Sequence, residues 1–144
     1  MTAPALRGAS KSDGIGPMSD DVIHRIEVTA HAMFVPEQSD IVADRYVFAY
    51  TVTIRNSGSV PAQLVSRHWV ITDALKRIQE VRGQGVVGEQ PWLAPGQHFE
   101  YSSSASIGTP VGTMHGSYQM VAADGTRFDA DIPPFQLSLP RTLH

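Results

Sequence analysis

Three glycines near the middle of the chain have the spacing of a phosphate-binding motif. Gly83, Gly85 and Gly88 match the pattern G-x-G-x-x-G, which wraps a pyrophosphate in dinucleotide-binding folds, where a strand, a tight turn and a helix N-terminus meet. That mechanism needs a helix directly after the last glycine. Pro91 and Pro95 follow instead, and proline lacks an amide hydrogen and clashes with the preceding helical turn. The sequence therefore excludes a Rossmann-type site and predicts a glycine-rich connection between two strands.

A connection of this kind can still bind an anion, because backbone amides can form a nest without a helix dipole. We therefore take Arg82, Gly83, Gly85 and Gly88 as the candidate anion-binding loop, with weakly bound pyrophosphate or a nucleotide as its ligand. Two glutamates flank the loop and would oppose an anion. The alternative is structural, since glycines in a strand connection also serve a bulge or a positive φ angle.

No other stretch carries a catalytic pattern. The sequence has no G-x-S-x-G elbow, Walker loop, H-E-x-x-H string or paired carboxylates. Residues 102–104 are consecutive serines, but a hydroxyl without a positioned base is a poor nucleophile. We therefore expect no catalytic residues and no enzymatic activity.

Metal ligands are also sparse. Cysteine is absent, which excludes a thiolate zinc site, a disulfide framework and a cysteine nucleophile. His24 and His31 are seven residues apart, which puts them on opposite faces of a continuous strand, and no His-x-His or carboxylate cluster stands nearby. We expect neither a metal site nor a cofactor.

Charge and hydropathy limit the partners. The chain has 11 basic and 14 acidic residues and a net charge of −3, which leaves no basic footprint for nucleic acid or an anionic membrane. No segment is apolar for the ~18 residues of a membrane span, so we expect neither partner. Residues 1–21 lack a signal-peptide core and are predicted to form a flexible tail. Residues 22–144 are predicted to form one domain of a cytoplasmic protein.

Apolar residues alternate with polar ones along most of the remaining chain, which is the pattern of half-buried strands. The predicted strands are residues 22–35, 45–55, 62–73, 74–82, 97–106, 113–123 and 127–139. Turn signals separate them at roughly 8–12-residue spacing, and helical periodicity is almost absent. The pattern favours an antiparallel β-sandwich of about seven to eight strands, with a barrel as the alternative.

The alternation also predicts which side chains face the core. Strand 45–55 is apolar on one face and small or β-branched on the other, which is typical of a central strand. Trp69 and Tyr118 are predicted to be core residues, since buried aromatics at such strand positions are frequent in sandwiches. On strand 62–73 the alternation puts Leu64 on the face opposite Trp69.

Two further segments have specific expectations. Residues 74–82 are too short and uncapped for a helix, so a hairpin return strand with Ile78 and Val81 partly buried is predicted. Pro133 and Pro134 interrupt the last strand. Because proline cannot donate to a sheet ladder, that strand must lie at an edge or bend sharply there.

Several unusual sequence strings occur in the order in which they occur in the bacterial ApaG family. They are residues 45–56 (RYVFAYTVTIRN), 83–91 (GQGVVGEQP), 93–96 (LAPG), 112–118 (GTMHGSY) and the tail 132–144. The sequence therefore resembles the ApaG family over residues 22–144. Residues 73–77 depart from the more glycine-rich turn of that family, which affects the expected lengths of the flanking strands.

The resemblance implies a fibronectin type III-like, or immunoglobulin-like, sandwich. It also implies an association with cobalt and magnesium tolerance under the family's other name, CorD. Similar domains in eukaryotic F-box and polymerase-interacting proteins look like binding modules. We therefore expect a non-catalytic interaction module with a protein partner. The alternatives are a pyrophosphate- or nucleotide-binding protein that uses the loop from Gly83 to Gly88, and a divalent-metal protein.

Overall fold

The computed structural model describes residues 21–140 and is built almost entirely of strands. The predicted tail, apart from Asp21, lies outside the described residues. The strands are β1 Ile26–Phe34, β2 Tyr46–Asn56, β3 Ala62–Asp73, β4 Ile78–Gln84, β5 Trp92–Leu93, β6 His98–Ile107, β7 Val111–Ala122 and β8 Arg127–Ser138, with a 3-10 turn at Pro36–Gln38. In this part of the chain no helix is long and apolar enough to cross a membrane.

The strands form two antiparallel sheets. One sheet has the order β1-β2-β6, and the other has the order β4-β3-β7-β8 with the short β5 paired beside β3. β1 packs closely against β8, which closes one side of the sandwich. The predicted antiparallel sandwich of seven to eight strands is confirmed, and β2 has the central position in its sheet that its two-sided pattern predicted.

The hydrophobic core fills the space between the sheets. The alternate residues of β2 from Tyr46 to Ile54 point inward and are buried. Trp69 of β3 is only 3% exposed. Its ring meets Tyr50 edge-on at 5.3 Å and Tyr118 at 6.4 Å between centroids, which is a favourable geometry for aromatic pairs. Trp69 and Tyr118 are therefore core residues, as predicted.

A β-bulge in β3 changes the side of the sheet on which the side chains of its first residues lie. Leu64 pairs with Met120 and Ser66 with Gln119 of β7, so Val65 has no partner in that register. One extra residue reverses the alternation of side chains beyond it. Leu64 is therefore fully buried in the same core as Trp69, and its predicted position on the opposite face was wrong.

β4 confirms the predicted return strand but not the burial of its side chains. It pairs antiparallel with β3 from Ile78 to Gln84. Ile78 is 63% exposed and Val81 39% exposed, so the prediction that both are partly covered by the core was wrong. The reason is geometric: Val81 faces inward on the outermost strand of the wider sheet, and the three-stranded sheet opposite ends at β6. Ile78 lies on the outer face of β4, the face of Glu80 and Arg82.

The prolines of the last strand lie where the sheet tolerates them. β8 is an edge strand, as predicted. Met114 of β7 pairs with Phe135 and Gly116 pairs with Ile132, so the adjacent Pro133 and Pro134 fall in a bulge of the ladder. Proline is tolerated at an edge bulge because no neighbouring strand needs its missing amide hydrogen.

Candidate functional site

The glycine loop is a tight hairpin that follows β4. Val86 and Glu89 exchange two backbone hydrogen bonds, of 2.8 and 2.9 Å. The two residues between them, Val87 and Gly88, have φ angles of 43° and 81°, as type I′ turns require. Glycine adopts this conformation freely, whereas a β-branched valine is strained in it. The expected glycine-rich strand connection is present.

Most of the loop's amides already donate within the protein. The amide of Gly85 donates to the carbonyl of Val65 at 2.8 Å, and the amides of Val86 and Glu89 donate to each other's carbonyl oxygens. Gly83 lies inside the β3–β4 ladder, paired with Arg67. A converging nest of amides around Gly85 would require these bonds to break.

Arg82 lies away from the inner side of the loop. Its side chain is 72% exposed, and its closest carboxylate is that of Glu80, with Nη2 and Oε1 3.7 Å apart. In the ladder Arg82 pairs with His68, whereas Gly83 pairs with Arg67. Because successive strand residues face opposite sides of a sheet, the structure separates the Arg82 side chain from the face where Gly83 and the core lie.

A different arginine lies under the loop. Nη1 of Arg67 donates to the carbonyl oxygens of Gln84 at 3.0 Å and Gly85 at 2.8 Å. A methyl group on Gly83 would lie 2.8 Å from Cζ and Nη2 of Arg67 and 2.9 Å from Nη1. These nearly equal distances mean that the guanidinium lies flat across Gly83. The lack of a side chain at Gly83 therefore provides the space for the Arg67 cation.

Arg67 was not predicted as a site residue. The signal that could have found it is a charged residue two positions before the core anchor Trp69, on the same face of the strand. Arginine is rarely placed on an inward face without a partner. The pairing of Arg67 with Gly83 was not visible, because it depends on the register between β3 and β4.

The Arg67 guanidinium lines a cleft of about 280 Å³ between the two sheets. The lining residues come from β2, β3, β6 and the glycine loop: Tyr50, Arg67, Gln84, Val86, Val87, Gly88, Tyr101 and Ser103. Among residues 21–140, no carboxylate lies within 4.0 Å of the Arg67 guanidinium. The cleft thus holds a positive charge that the described part of the protein does not neutralise.

Three tyrosines lie near this charge and remain protonated, and two of them, Tyr50 and Tyr101, line the cleft. The hydroxyls of Tyr101 and Tyr118 are 2.6 Å apart. Burial raises the pKa of Tyr101 to about 12 and raises the pKa of Tyr118 even further. Burial also raises the pKa of Tyr50, although a hydrogen bond to Ser103 and the positive charge of Arg67 oppose it. At neutral pH these phenols are therefore neutral hydrogen-bonding groups, and the cleft is suited to binding an anion.

The histidines considered as metal ligands have other surroundings. His24 Nε2 and Asp124 Oδ2 form a hydrogen bond of 2.9 Å, and His31 is an exposed residue of β1. Within residues 21–140, no three His, Cys, Asp or Glu side chains lie close enough together to hold a metal ion. The Arg67 cleft, which contains a cation and hydroxyls, has the chemistry of an anion site rather than a metal site.

Comparisons with known proteins agree with the resemblance predicted from the sequence. The family model of the ApaG domain matches residues 36–122. Proteins ApaG from Aromatoleum aromaticum and Thiobacillus denitrificans are 65% and 61% identical over 127 residues, which is 88% of this chain and 100% of each relative. A crystal structure of an ApaA protein from Bordetella pertussis has a TM-score of 0.80 and 53% identity, covering 83% of this chain and 98% of that one. The chain therefore belongs to the ApaG family.

Proposed function

We propose that this protein is a non-catalytic interaction module that binds an extended segment of another cytoplasmic protein along the free edge of β4. The observation that carries the proposal is the position of β4, which ends its sheet with one side that no strand of residues 21–140 pairs. An unpaired edge presents backbone donors and acceptors that an incoming strand can use. The adjacent cleft supplies a place for a side chain of that strand.

The hydrogen bonds at both ends of the β3–β4 ladder indicate which groups of β4 are free. The amide of Asp73 donates to the carbonyl of Arg77 at 3.1 Å, and that of Gly85 donates to the carbonyl of Val65 at 2.8 Å. Because hydrogen-bonded and non-hydrogen-bonded pairs alternate in antiparallel sheets, Gln79, Val81 and Gly83 direct their backbone groups toward β3. The backbone groups of Ile78, Glu80 and Arg82 point outward.

Exposed apolar side chains accompany this edge. Leu75, in the turn before β4, is 67% exposed, and Ile78 and Val81 are exposed along the strand. Long edge strands with apolar side chains tend to pair with other chains unless they are protected. Here Glu80 and Arg82 provide charge on the outer face of β4, which limits unselective pairing while leaving the edge available to a matching segment.

Selection of peptides from a library of random linear sequences tests the proposal, with wild type and two variants as targets. Glu80→Pro removes one outward amide of β4 without removing a hydrogen bond to β3. Glu80→Ala is the matched control, because it loses the same contact with His68, of 2.8 Å, but keeps the amide. We expect the selected peptides to bind Glu80→Pro roughly tenfold or more weakly than Glu80→Ala, since an outward hydrogen bond and the local fit are both lost.

Three results would count against the proposal. They are the recovery of no peptide, equal binding to both variants, and self-association of the wild type that Glu80→Pro abolishes, which would assign the edge to a second copy. Thermal unfolding must show that both variants are folded. If the proposal holds, the cobalt and magnesium tolerance implied for the family is an indirect effect, exerted through the protein partner.

Binding of pyrophosphate or a nucleotide is the second candidate function. The observation in its favour is the Arg67 guanidinium directly beneath the glycine loop, which no carboxylate of residues 21–140 neutralises. Titration of labelled protein with pyrophosphate and ATP, followed by amide shifts from Gln84 to Gly88, tests it. Saturable shifts that are lost in Arg67→Gln would support this candidate over the protein-binding module.

A further inference from the structure

We infer that the Arg67 cleft receives the carboxylate of an aspartate or glutamate side chain, carried by the segment that pairs with β4 at the position facing Gly83. The inference rests on the proposed function, because it requires a strand beside β4. It adds the chemistry that this strand must carry. The glycine loop, the inward arginine and the free edge then belong to one binding surface.

The distances across the sheet allow such a contact. Arg67 belongs to β3, one strand inward from the edge, but its guanidinium lies over Gly83 of β4, the edge strand itself. A strand added beyond β4 would run about 4.8 Å from it. Gly83 directs its backbone groups toward β3, so it would form a non-hydrogen-bonded pair with the added strand, in which facing Cα atoms are only about 4.5 Å apart. An acidic side chain at that position is long enough to reach the guanidinium across Gly83.

The chemistry of the cleft favours a carboxylate. Nη1 of Arg67 uses its hydrogens on two loop carbonyls, and none of the described residues accepts a hydrogen bond from Nε or Nη2. The edge formed by Nε and Nη2 is the part of a guanidinium that holds a carboxylate with two parallel hydrogen bonds. The single positive charge also matches one carboxylate better than it matches a phosphate dianion.

Charge complementarity argues against a second copy of this chain that pairs through the same edge of β4. The only carboxylate on β4 is that of Glu80. Its Oε1 is 2.8 Å from Nε2 of His68, and Glu80 lies on the outer face of the strand together with Arg82. A second copy that paired through the same edge would therefore not bring a free acidic side chain to the cleft.

The register between β4 and the added strand also specifies a second position in the bound segment. Val81 lies on the same face as Gly83 and is 39% exposed. The residue of the added strand that faces Val81 is two positions from the acidic residue and would cover this apolar surface. The expected recognition pattern is thus an acidic residue and an apolar residue separated by one position, in an order that depends on the direction of the strand.

The first experiment tests the cleft alone, with labelled wild-type protein and small probes. N-acetylglutamic acid amide presents a side-chain carboxylate, N-acetylalanine presents a C-terminal carboxylate, and N-acetylglutamine amide is the neutral control. We expect saturable shifts of the Arg67 Nε–Hε signal and of the Gln84 to Gly88 amides with the glutamate derivative, and none with the glutamine derivative. An effect of N-acetylalanine alone would overturn the assignment to a side chain in favour of a chain terminus. Tighter binding of inorganic phosphate would overturn the choice of a carboxylate.

The second experiment places the same chemistry in a bound strand, by using the peptides selected on the wild type. We expect them to be enriched in the acidic-x-apolar spacing and to bind Arg67→Gln at least ~10-fold more weakly, because a charged hydrogen-bonded pair is lost. Arg55→Gln is the matched control, since Arg55 is exposed on the other sheet. Replacing the acidic residue of the peptide with its amide should weaken binding to the wild type but not to Arg67→Gln.

The outcomes separate the two proposals. Peptides that depend on the β4 edge but bind Arg67→Gln as tightly as the wild type, together with an unshifted Arg67 signal, would overturn the inference and leave the interaction module standing. A glutamate derivative that binds at Arg67 while no peptide pairs with β4 would overturn the proposed function and the assignment of the carboxylate to a strand. A loss confined to Arg82→Gln would overturn the inference and favour the loop arginine predicted from the sequence. Because the first experiment uses wild-type protein, instability of Arg67→Gln does not affect it.

Discussion

Substitution of Gly83 by alanine should displace the Arg67 guanidinium without unfolding the protein. The added methyl would lie 2.8 Å from Cζ and Nη2 of Arg67, which is too close for a carbon contact. The colliding atoms form the free end of a flexible side chain, so the guanidinium can move while the strands keep their positions. Gly116→Ala is a useful contrast, because its methyl would run into the backbone carbonyl oxygen of His68, which cannot move without breaking the ladder.

The expected magnitude follows from two opposing effects. A displacement of the guanidinium that loses one of its two hydrogen bonds, to the Gln84 and Gly85 carbonyls, costs roughly 1.5–3 kcal/mol, because the donor is charged. Replacing a strand glycine with alanine recovers about 0.5–1 kcal/mol of conformational entropy. We therefore expect Gly83→Ala to lower the free energy of unfolding by about 1–2 kcal/mol. Gly116→Ala should cost more, because backbone must shift there.

A double-mutant cycle in urea separates this mechanism from a general effect of the methyl group. In an Arg67→Ser background the space over Gly83 is empty, so Gly83→Ala should be neutral or slightly stabilising. The coupling between the two positions should then exceed ~1 kcal/mol. If the two substitutions change the free energy of unfolding additively, within about 0.5 kcal/mol, the guanidinium does not occupy this space. The proposed role of Gly83 in the site would then be wrong.

Three other variants test the core and its ionisable groups. Trp69→Ala should lower the free energy of unfolding by roughly 3–5 kcal/mol, and an unchanged urea midpoint would show that the ring is not a core anchor. Tyr101→Phe leaves the buried Tyr118 hydroxyl without its 2.6 Å partner and should lower the free energy of unfolding by about 1–3 kcal/mol. Folding raises the pKa of Tyr101 from 10.0 to about 12, so the wild type should lose stability as pH rises between these two values. This loss should be smaller in the variant. Burial raises the pKa of Asp73, but the hydrogen bonds from Arg77 and the positive charge of Arg77 hold this pKa below its ordinary value. The Asp73 carboxylate therefore stabilises the fold above about pH 4, and this stabilisation is lost as the pH falls further. Asp73→Asn should therefore flatten the acid side of the stability profile, and an unchanged acid midpoint would contradict the assignment.

The positions of the long strands and the sandwich class could be predicted from the sequence because each strand faces the core on one side only. The alternation along β2 is uninterrupted, so its inward residues from Tyr46 to Ile54 followed directly from the pattern. In β3 the same logic worked beyond the bulge and failed before it, because a single extra residue at Val65 reverses the facing of Leu64. A bulge depends on the register with β7, and the pattern within one strand contains no information about that register.

The burial of Ile78 and Val81 could not be predicted for a related reason. Their apolar character suggests a covered position, but coverage depends on how far the opposite sheet extends. Val81 faces a sheet that has three strands among the described residues, and Ile78 lies on the outer face of β4. Both facts depend on the whole fold. Exposure of apolar side chains on an edge strand is therefore a feature that the structure reveals and that the sequence pattern obscures.

The glycine spacing predicts a site formed by this loop and Arg82, its neighbour in sequence, whereas the structure places the guanidinium of Arg67 against Gly83. A G-x-G-x-x-G motif suggests that all three glycines serve one ligand, together with the charged residue beside them in sequence. Here each glycine has its own requirement: Gly83 leaves room for a guanidinium, a side chain on Gly85 would meet the carbonyl oxygen of Glu89, and Gly88 completes a turn. The cation at the loop is supplied across the ladder by Arg67, because a strand presents its sequence neighbours on opposite faces and its cross-strand partners on the same face. In a β-sandwich, the residue that completes a loop site is therefore to be sought in the register of the adjacent strand.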